Sequence, residues 1–138
     1  MDSLLNAVAL FCEKVGLPHP TEEKDVFTFT IEEQEINITQ LPAGHLLMFS
    51  TLPEHYIENY HQIEIYSDNL YKPSIGWSQD AYAWVMWNRQ PFEHLDINTI
   101  YQQAFSLSEG YAQASIKATR EPVPEPQMDN LFSTAIKA

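Results

Sequence analysis

Apolar residues recur at three- and four-residue steps over residues 2–16, where Leu4, Leu5, Val8, Phe11, Cys12 and Val15 form one stripe and Asn6, Glu13 and Lys14 lie off it. That period predicts an amphipathic helix, with Asp2 or Ser3 to cap it and Gly16 followed by Pro18 to end it. The period then changes to two. Over residues 26–31 Phe27, Phe29 and Ile31 share one face and Val26, Thr28 and Thr30 the other. After the polar turn Glu32-Glu33-Gln34, residues 35–41 alternate again with Ile36 and Ile38 on one face. After Pro42-Ala43-Gly44, residues 45–51 form a third, more apolar run. Strands joined by turns this short favour an antiparallel meander.

Residues 53–70 fit two patterns. Tyr56, Tyr60, Ile63, Ser67 and Leu70 fall on one helical face after Pro53, whereas Ile63-Glu64-Ile65-Tyr66 would pass as a strand; helix is the favoured reading. Residues 74–77 and 82–88 read as a hairpin around Ser78-Gln79-Asp80. In its second strand Tyr82, Trp84 and Met86 alternate with Ala83, Val85 and Trp87, so both faces are apolar and both call for cover. Residues 96–118 are the longest predicted helix, capped by Asp96, with Ile97, Ile100, Tyr101, Ala104, Leu107, Ser108, Tyr111, Ala112 and Ser115 in its stripe. Gly110 in its middle costs about 1 kcal/mol against Ala and marks a close backbone contact or a bend. Residues 119–127, with prolines at 122, 124 and 126, read as an extended linker, and residues 128–137 as one short helical piece through Leu131, Phe132, Ala135 and Ile136. The order α-β-β-β-α-β-β-α predicts an α+β domain over residues 1–118, a twisted antiparallel sheet packed by helices, and a Pro-rich tail over 119–138.

Composition narrows the function. A chain of 138 residues is one domain by size. Seven Lys and Arg against 19 Asp and Glu give a net charge of −12, which repels phosphate backbones and anionic lipid, so neither nucleic acid nor membrane insertion is expected. No apolar run is long enough to span a bilayer, and the first residues lack a basic segment before their apolar run, so a signal peptide is not expected. A single cysteine, Cys12, excludes an internal disulfide and suits a reducing cytoplasm.

Candidate chemistry is sparse. The four glycines are too far apart for a phosphate-cradling loop, and no Ser lies in a Gly-x-Ser-x-Gly elbow. His55 and His61, six apart with Glu58 between them, lack the spacing of a two-histidine metal site. Cys12 on the apolar stripe reads as a small hydrophobe. The acids Glu22, Glu23, Asp25, Glu32, Glu33 and Glu35 read as a solvated rim, and Asn37-Ile38-Thr39 as a chance sequon. No catalytic residue, metal site or cofactor is expected, and an enzyme is the least favoured reading. The anomaly is aromatic. Trp77, Tyr82, Trp84 and Trp87 share one hairpin, with Tyr56, Tyr60, Tyr66 and Tyr71 just before it. Such a load exceeds what one small core needs and suits a protein interface.

The stretch from Pro73 to Pro91 (PSIGWSQDAYAWVMWNRQP), with its Pro-x-Ile-Gly strand, short turn, apolar strand and closing Arg-x-Pro, together with the opening helix that ends Val15-Gly16-Leu17-Pro18, resembles the class I type III secretion chaperones, the Tir-chaperone-like family. The element order over residues 2–118, the size and the acidity are similar too. The Pro-rich tail after Arg120 departs from that pattern. The resemblance implies a cytoplasmic homodimer in a Gram-negative bacterium. It would bind an extended segment near the N-terminus of a secreted effector and keep it secretion-competent, with the secretion ATPase or apparatus as a further candidate partner. The alternative on the same scaffold is a regulatory protein that sequesters a secretion-linked anti-activator. The expected cargo-binding residues are Leu4, Leu5, Val8, Phe11, Val26, Thr28 and Phe29, with the first strand as a pairing edge. The expected dimer contacts are Tyr60, Ile63, Trp84 and Trp87.

Overall fold

The structure, a computed structural model, describes residues 4–53 and 70–120, with side chains through Ser115. The elements in order are α1 (Leu4–Val15), β1 (Val26–Ile31), β2 (Gln34–Leu41), β3 (His45–Leu52), β4 (Ser74–Ser78), β5 (Ala83–Pro91), a single 3-10 turn (Phe92–His94) and α2 (Ile97–Arg120). Of the span 53–70 read as helix, residues 54–69 lie outside the described residues, as does the tail from residue 121, while Pro53 and Leu70 are not helical. The last helix continues two residues past the expected boundary at 118.

The five strands form one antiparallel sheet in the order β1-β2-β3-β5-β4. Registers follow the turns. Glu32 and Glu33, both at positive φ (50° and 73°), make the two-residue β1–β2 turn, the mirror-image geometry that matches strand twist. Gly44 (φ 86°) closes the β2–β3 turn, its N–H donating to Leu41 O at 2.9 Å. The fifth strand runs to Pro91, beyond the expected end at residue 88. It does so because β3 continues the pairing from Asn88 to Pro91 after β4 has ended opposite Trp87.

Both helices lie on the same face of the sheet. Phe27 and Phe29, Ile36 and Ile38, Leu46, Met48 and Leu52, and Trp84 and Met86 point toward them, as the pair Ile38↔Met48 requires of its neighbours. Val8, Phe11 and Cys12 of α1 and Ile100, Ala104 and Leu107 of α2 complete the core. α1 ends as expected at Gly16 (φ 80°), where Leu17 N–H donates back to Cys12 O at 2.9 Å. α2 begins at Asp96. Thr99 N–H donates to its Oδ1 at 2.8 Å, and Asp96 N–H donates in return to Thr99 Oγ1 at 3.0 Å. Gly110 is a close contact. A Cβ there would lie 2.6 Å from Pro73 Cγ, so the missing side chain lets α2 settle onto the segment leading into β4.

Candidate functional site

Two surfaces remain after the core is assembled. The first is the β1 edge. β1 is terminal in the sheet and pairs only with β2 among the described residues, so one side of its backbone presents donors and acceptors outside the ladder. On the helical side of this edge, Phe29 packs tilted on Phe11 with ring centroids 5.4 Å apart, and Leu5 and Ile31 are half-buried. On the other side Val26 is 42% exposed, beside Thr28 and Thr30. Thr28 Oγ1 donates to Asn37 Oδ1 at 2.7 Å, and Asn37 Nδ2 donates to Phe49 O at 3.3 Å, which ties the first three strands together. Of the expected cargo-binding residues, Leu4, Val8 and Phe11 are buried, because the stripe that docks α1 on the sheet is the core itself. Leu5, Val26, Thr28 and Phe29 keep accessible surface, Leu5 and Phe29 on one side of the edge and Val26 and Thr28 on the other.

The second surface is the reverse face of the sheet, opposite the helices. Leu47 and Phe49 of β3 and Val85 and Trp87 of β5 point there, with Phe49 directly opposite Trp87. They floor a groove of about 560 Å³ that also takes in Asp80 of the β4–β5 turn, Arg89 of β5, Thr39 and Leu41 of β2 and Val26 of β1, so that it crosses the sheet to the β1 edge. The Arg89 guanidinium lies over the Trp87 ring, 5.9 Å from its centroid. The expected dimer contacts Trp84 and Trp87 are separated by this geometry. Trp87 belongs to the groove. Trp84 faces the helical side, where Trp77 meets it edge-on at 5.6 Å and Tyr82 meets Trp77 at 5.3 Å. Tyr82 stands in the turn at φ 52°, largely exposed, not in the strand where its alternation with Trp84 had placed it. Tyr60 and Ile63 lie outside the described residues. Leu47, Phe49, Asp80 and Arg89 were not among the expected site residues, although Leu47 and Phe49 fall in a predicted strand, Asp80 in a predicted turn and Arg89 just past the expected end of the last strand. The signal for the first two was the run Leu46-Leu47-Met48-Phe49, apolar on both alternating faces.

Reactive chemistry does not converge anywhere on these surfaces. Cys12 is buried in α1, and desolvation pushes its thiol above the ordinary value. The acids Glu22, Glu23, Asp25, Glu32, Glu33 and Glu35 are all exposed. Among the described residues no three His, Cys, Asp or Glu side chains are grouped to hold a metal ion; His55, Glu58 and His61 lie outside them. No helix among the described residues is long and apolar enough to cross a membrane.

The arrangement of an unpaired strand edge and a grooved sheet face can be compared with known proteins. The sequence profile of the Tir chaperone protein (CesT) family matches residues 6–109. The YopE regulator of Yersinia enterocolitica is 32% identical over 116 residues, covering 80% of this chain and 87% of the relative. Among solved structures, the fold is similar to a chain of the ExoT-SpcS complex from Pseudomonas aeruginosa. The TM-score is 0.68 at 26% identity, over 82% of this chain and 98% of that one. It is also similar to a chain of the HopA1-SchA chaperone-effector complex, with a TM-score of 0.56 at 12% identity, over 78% and 88% of the two chains.

Proposed function

The chain belongs to the Tir chaperone protein (CesT) family, and from that premise we propose that it is a cytoplasmic homodimer that binds an extended N-terminal segment of a type III secreted effector and keeps it secretion-competent. The observation that carries the reading is the β1 edge. Its outer backbone, unpaired among the described residues, sits between apolar surface at Leu5, Phe29 and Ile31 on one side and at Val26 on the other. An extended cargo segment that pairs with β1 alternates its side chains between these two sides. Backbone pairing is indifferent to cargo sequence, while the apolar flanks select for hydrophobic cargo residues. Each such residue, fully buried, contributes about 1.5–3 kcal/mol before the ordering cost of the cargo is met. Several are therefore required, and no single contact sets the affinity.

The carboxylates of Glu22, Glu23, Asp25, Glu32, Glu33 and Glu35 are exposed and Cys12 is buried, an arrangement that suits a binding surface held in water. The test is affinity capture from the native cytoplasm with mass spectrometry, run beside the Leu5→Asp variant. The expected result is a secreted protein retained through its N-terminal segment by the native chain and lost from a folded Leu5→Asp chain. A folded variant that keeps its cargo removes this edge from the site. A second reading, a regulator that sequesters an anti-activator, is favoured by the name of the YopE regulator. The identity of the captured partner separates the two.

A further inference from the structure

The last helix, α2, is apolar on two sides. Ile100, Ala104 and Leu107 are buried in the core, while Tyr101 and Phe105 face outward, 37% and 52% exposed. The two outer rings stack, with centroids 6.1 Å apart and planes 27° apart. The Lys14 ammonium of α1 lies over the Tyr101 ring, 5.2 Å from its centroid. Tyr101 is thus contacted by a cation and by a second ring, which restrict its rotamers before any partner arrives. Ser108 and Ala112 continue the same stripe toward the end of the helix, Ser108 half-buried and Ala112 exposed. A surface helix ordinarily turns charged and polar residues to that side.

The length and pattern of the chain beyond α2 identify an occupant. α2 ends at Arg120, and residues 121–138 follow it, outside the described residues and beyond residue 109, where the family profile stops. Over residues 128–137 Met128, Leu131, Phe132, Ala135 and Ile136 recur at three- and four-residue steps, the spacing of an apolar helical stripe. A stripe this short is marginal alone and needs a surface to lie on. The lengths agree. From Phe105 to Arg120 α2 rises about 22 Å. Residues 121–127, extended by Pro122, Pro124 and Pro126, span about 22 Å. The turn from Met128 to Phe132 adds about 6 Å, enough to return along α2 at the helix spacing of about 8–10 Å. Phe132 and Ile136 are four apart, as are Tyr101 and Phe105. An antiparallel return therefore sets Phe132 against Phe105 and Ile136 against Tyr101 in one register. A tethered segment also meets the patch at an effective concentration of about millimolar order, which a separate partner does not.

We infer that the tail folds back on its own protomer, and that the stripe of residues 128–137 packs on the outer face of α2 over Tyr101 and Phe105. The prolines between them act as a spacer that sets the register. This contact goes beyond the chaperone reading and does not depend on it. It covers the exposed aromatic pair and leaves the β1 edge to cargo.

The experiment is disulfide trapping in the full chain. Gln102 lies beside the aromatic pair and is exposed, and the antiparallel register places it opposite Ala135. The chain Gln102→Cys with Ala135→Cys is compared with Val26→Cys with Ala135→Cys, whose first position lies on the reverse face of the sheet. Oxidised glutathione is the oxidant, and Cys12, being buried, stays out of the exchange. Non-reducing gels separate bonds within one chain from bonds between chains, and mass spectrometry identifies the joined peptides. The expected result is a bond within one chain that forms at least about tenfold faster for the 102–135 pair than for the 26–135 pair. Adding Phe105→Asp, or the milder Phe105→Ser, removes that advantage, with circular dichroism confirming that α2 persists. Equal rates for the two pairs overturn the fold-back. A faster 26–135 pair overturns it too, by placing the tail at the cargo edge. A 102–135 bond found only between chains replaces it with a contact between copies. An advantage that survives both Phe105 variants removes the aromatic pair from the contact and overturns the assignment of the site.

Discussion

The two faces of the sheet are built from nearly the same kind of strand, yet they meet different neighbours. β3 sends Leu46, Met48 and Leu52 toward the helices and Leu47 and Phe49 the other way; β5 sends Met86 and Trp84 one way and Val85 and Trp87 the other. What separates them is how polar groups are handled. On the helical face, a side-chain network crosses from α2 to the sheet, although Asn88 Oδ1 and Ser106 Oγ stay buried without a partner among the described residues. Gln103 of α2 donates to Leu46 O and to Asn88 O, both at 3.1 Å, and accepts from Gln90 Nε2 at 2.6 Å. Asn88 Nδ2 in turn donates to Tyr71 O and Gln103 O at 2.9 Å. On the reverse face the charged groups stand at the ends of a groove and face outward. A face whose side chains are covered by two helices, with a hydrogen-bonded bridge from helix to sheet, is a core. A face whose charges await partners is an interface.

Four substitutions would break or sharpen that contrast. The largest effect is expected from Phe11→Ala. Phe11 is fully buried between α1 and the sheet, and its truncation leaves a cavity where Phe29 and the core strands cannot follow, at a cost of about 3–5 kcal/mol. Urea unfolding measures this directly. A loss below about 1 kcal/mol would mean that α1 is loosely held and that its stripe is available to a partner after all.

Next is Gln103→Leu, which keeps the volume and deletes the hydrogen bonds. Leu46 O and Asn88 O lose a donor, and Gln90 keeps only its bond to Thr99 O. Orphaned buried groups cost about 1–3 kcal/mol each, partly relieved by relaxation, so a net loss of about 2–3 kcal/mol is expected. A neutral or stabilised variant would show that these polar groups do not hold α2 on the sheet.

Third is Gly110→Ala. Helix propensity alone predicts a gain of about 1 kcal/mol. The added Cβ, however, meets the Pro73 ring at 2.6 Å and Met86 Sδ at 3.2 Å, and a ring cannot swing aside. Overpacking of this kind costs about 1–3 kcal/mol, so the net change is a loss of about 1 kcal/mol. Adding Pro73→Ala to the same chain should recover the propensity gain, and a double-mutant cycle reads the coupling. Without coupling, the contact between helix and β4 segment is not the reason for the glycine.

How far the molecule was legible from its sequence follows from the range of each interaction. Local rules were readable. The Asp96 cap, the Gly16 stop, the short turns and the alternation of Phe27 and Phe29 each depend on residues a few positions apart. Gly110 was readable as a close contact, but its partner Pro73 was not, because nothing in the helix names the segment that meets it. Periodicity also reports that a face exists without reporting what covers it. The α1 stripe was therefore read both as a docking face and as a cargo groove, and it is largely core. Trp84 and Trp87 were grouped by neighbourhood although a strand must send them to opposite faces. Gln90 and Gln103 went unnoticed because a polar residue at a core position reads as an exit from the core until its partner on another element is known.

The smallest change in the stability of the single protomer, and the most informative about the reverse face, is expected from Trp87→Thr. Threonine keeps strand propensity and loses the ring opposite Phe49 and beneath Arg89. Cross-strand and cation–π contacts of this kind sum to about 1 kcal/mol within one protomer. The larger consequence is in association. If the reverse face joins two copies, the native chain's unfolding midpoint rises with protein concentration, because dimerisation stabilises the folded state by mass action. In Trp87→Thr that dependence flattens, and native and variant midpoints converge as both are diluted. The same substitution on the helical face would lower the midpoint equally at every concentration. Thermal unfolding over a hundredfold range of concentration distinguishes the two patterns. A uniform drop comparable to that of Phe11→Ala would place Trp87 in the core of the protomer and end the contrast between the faces.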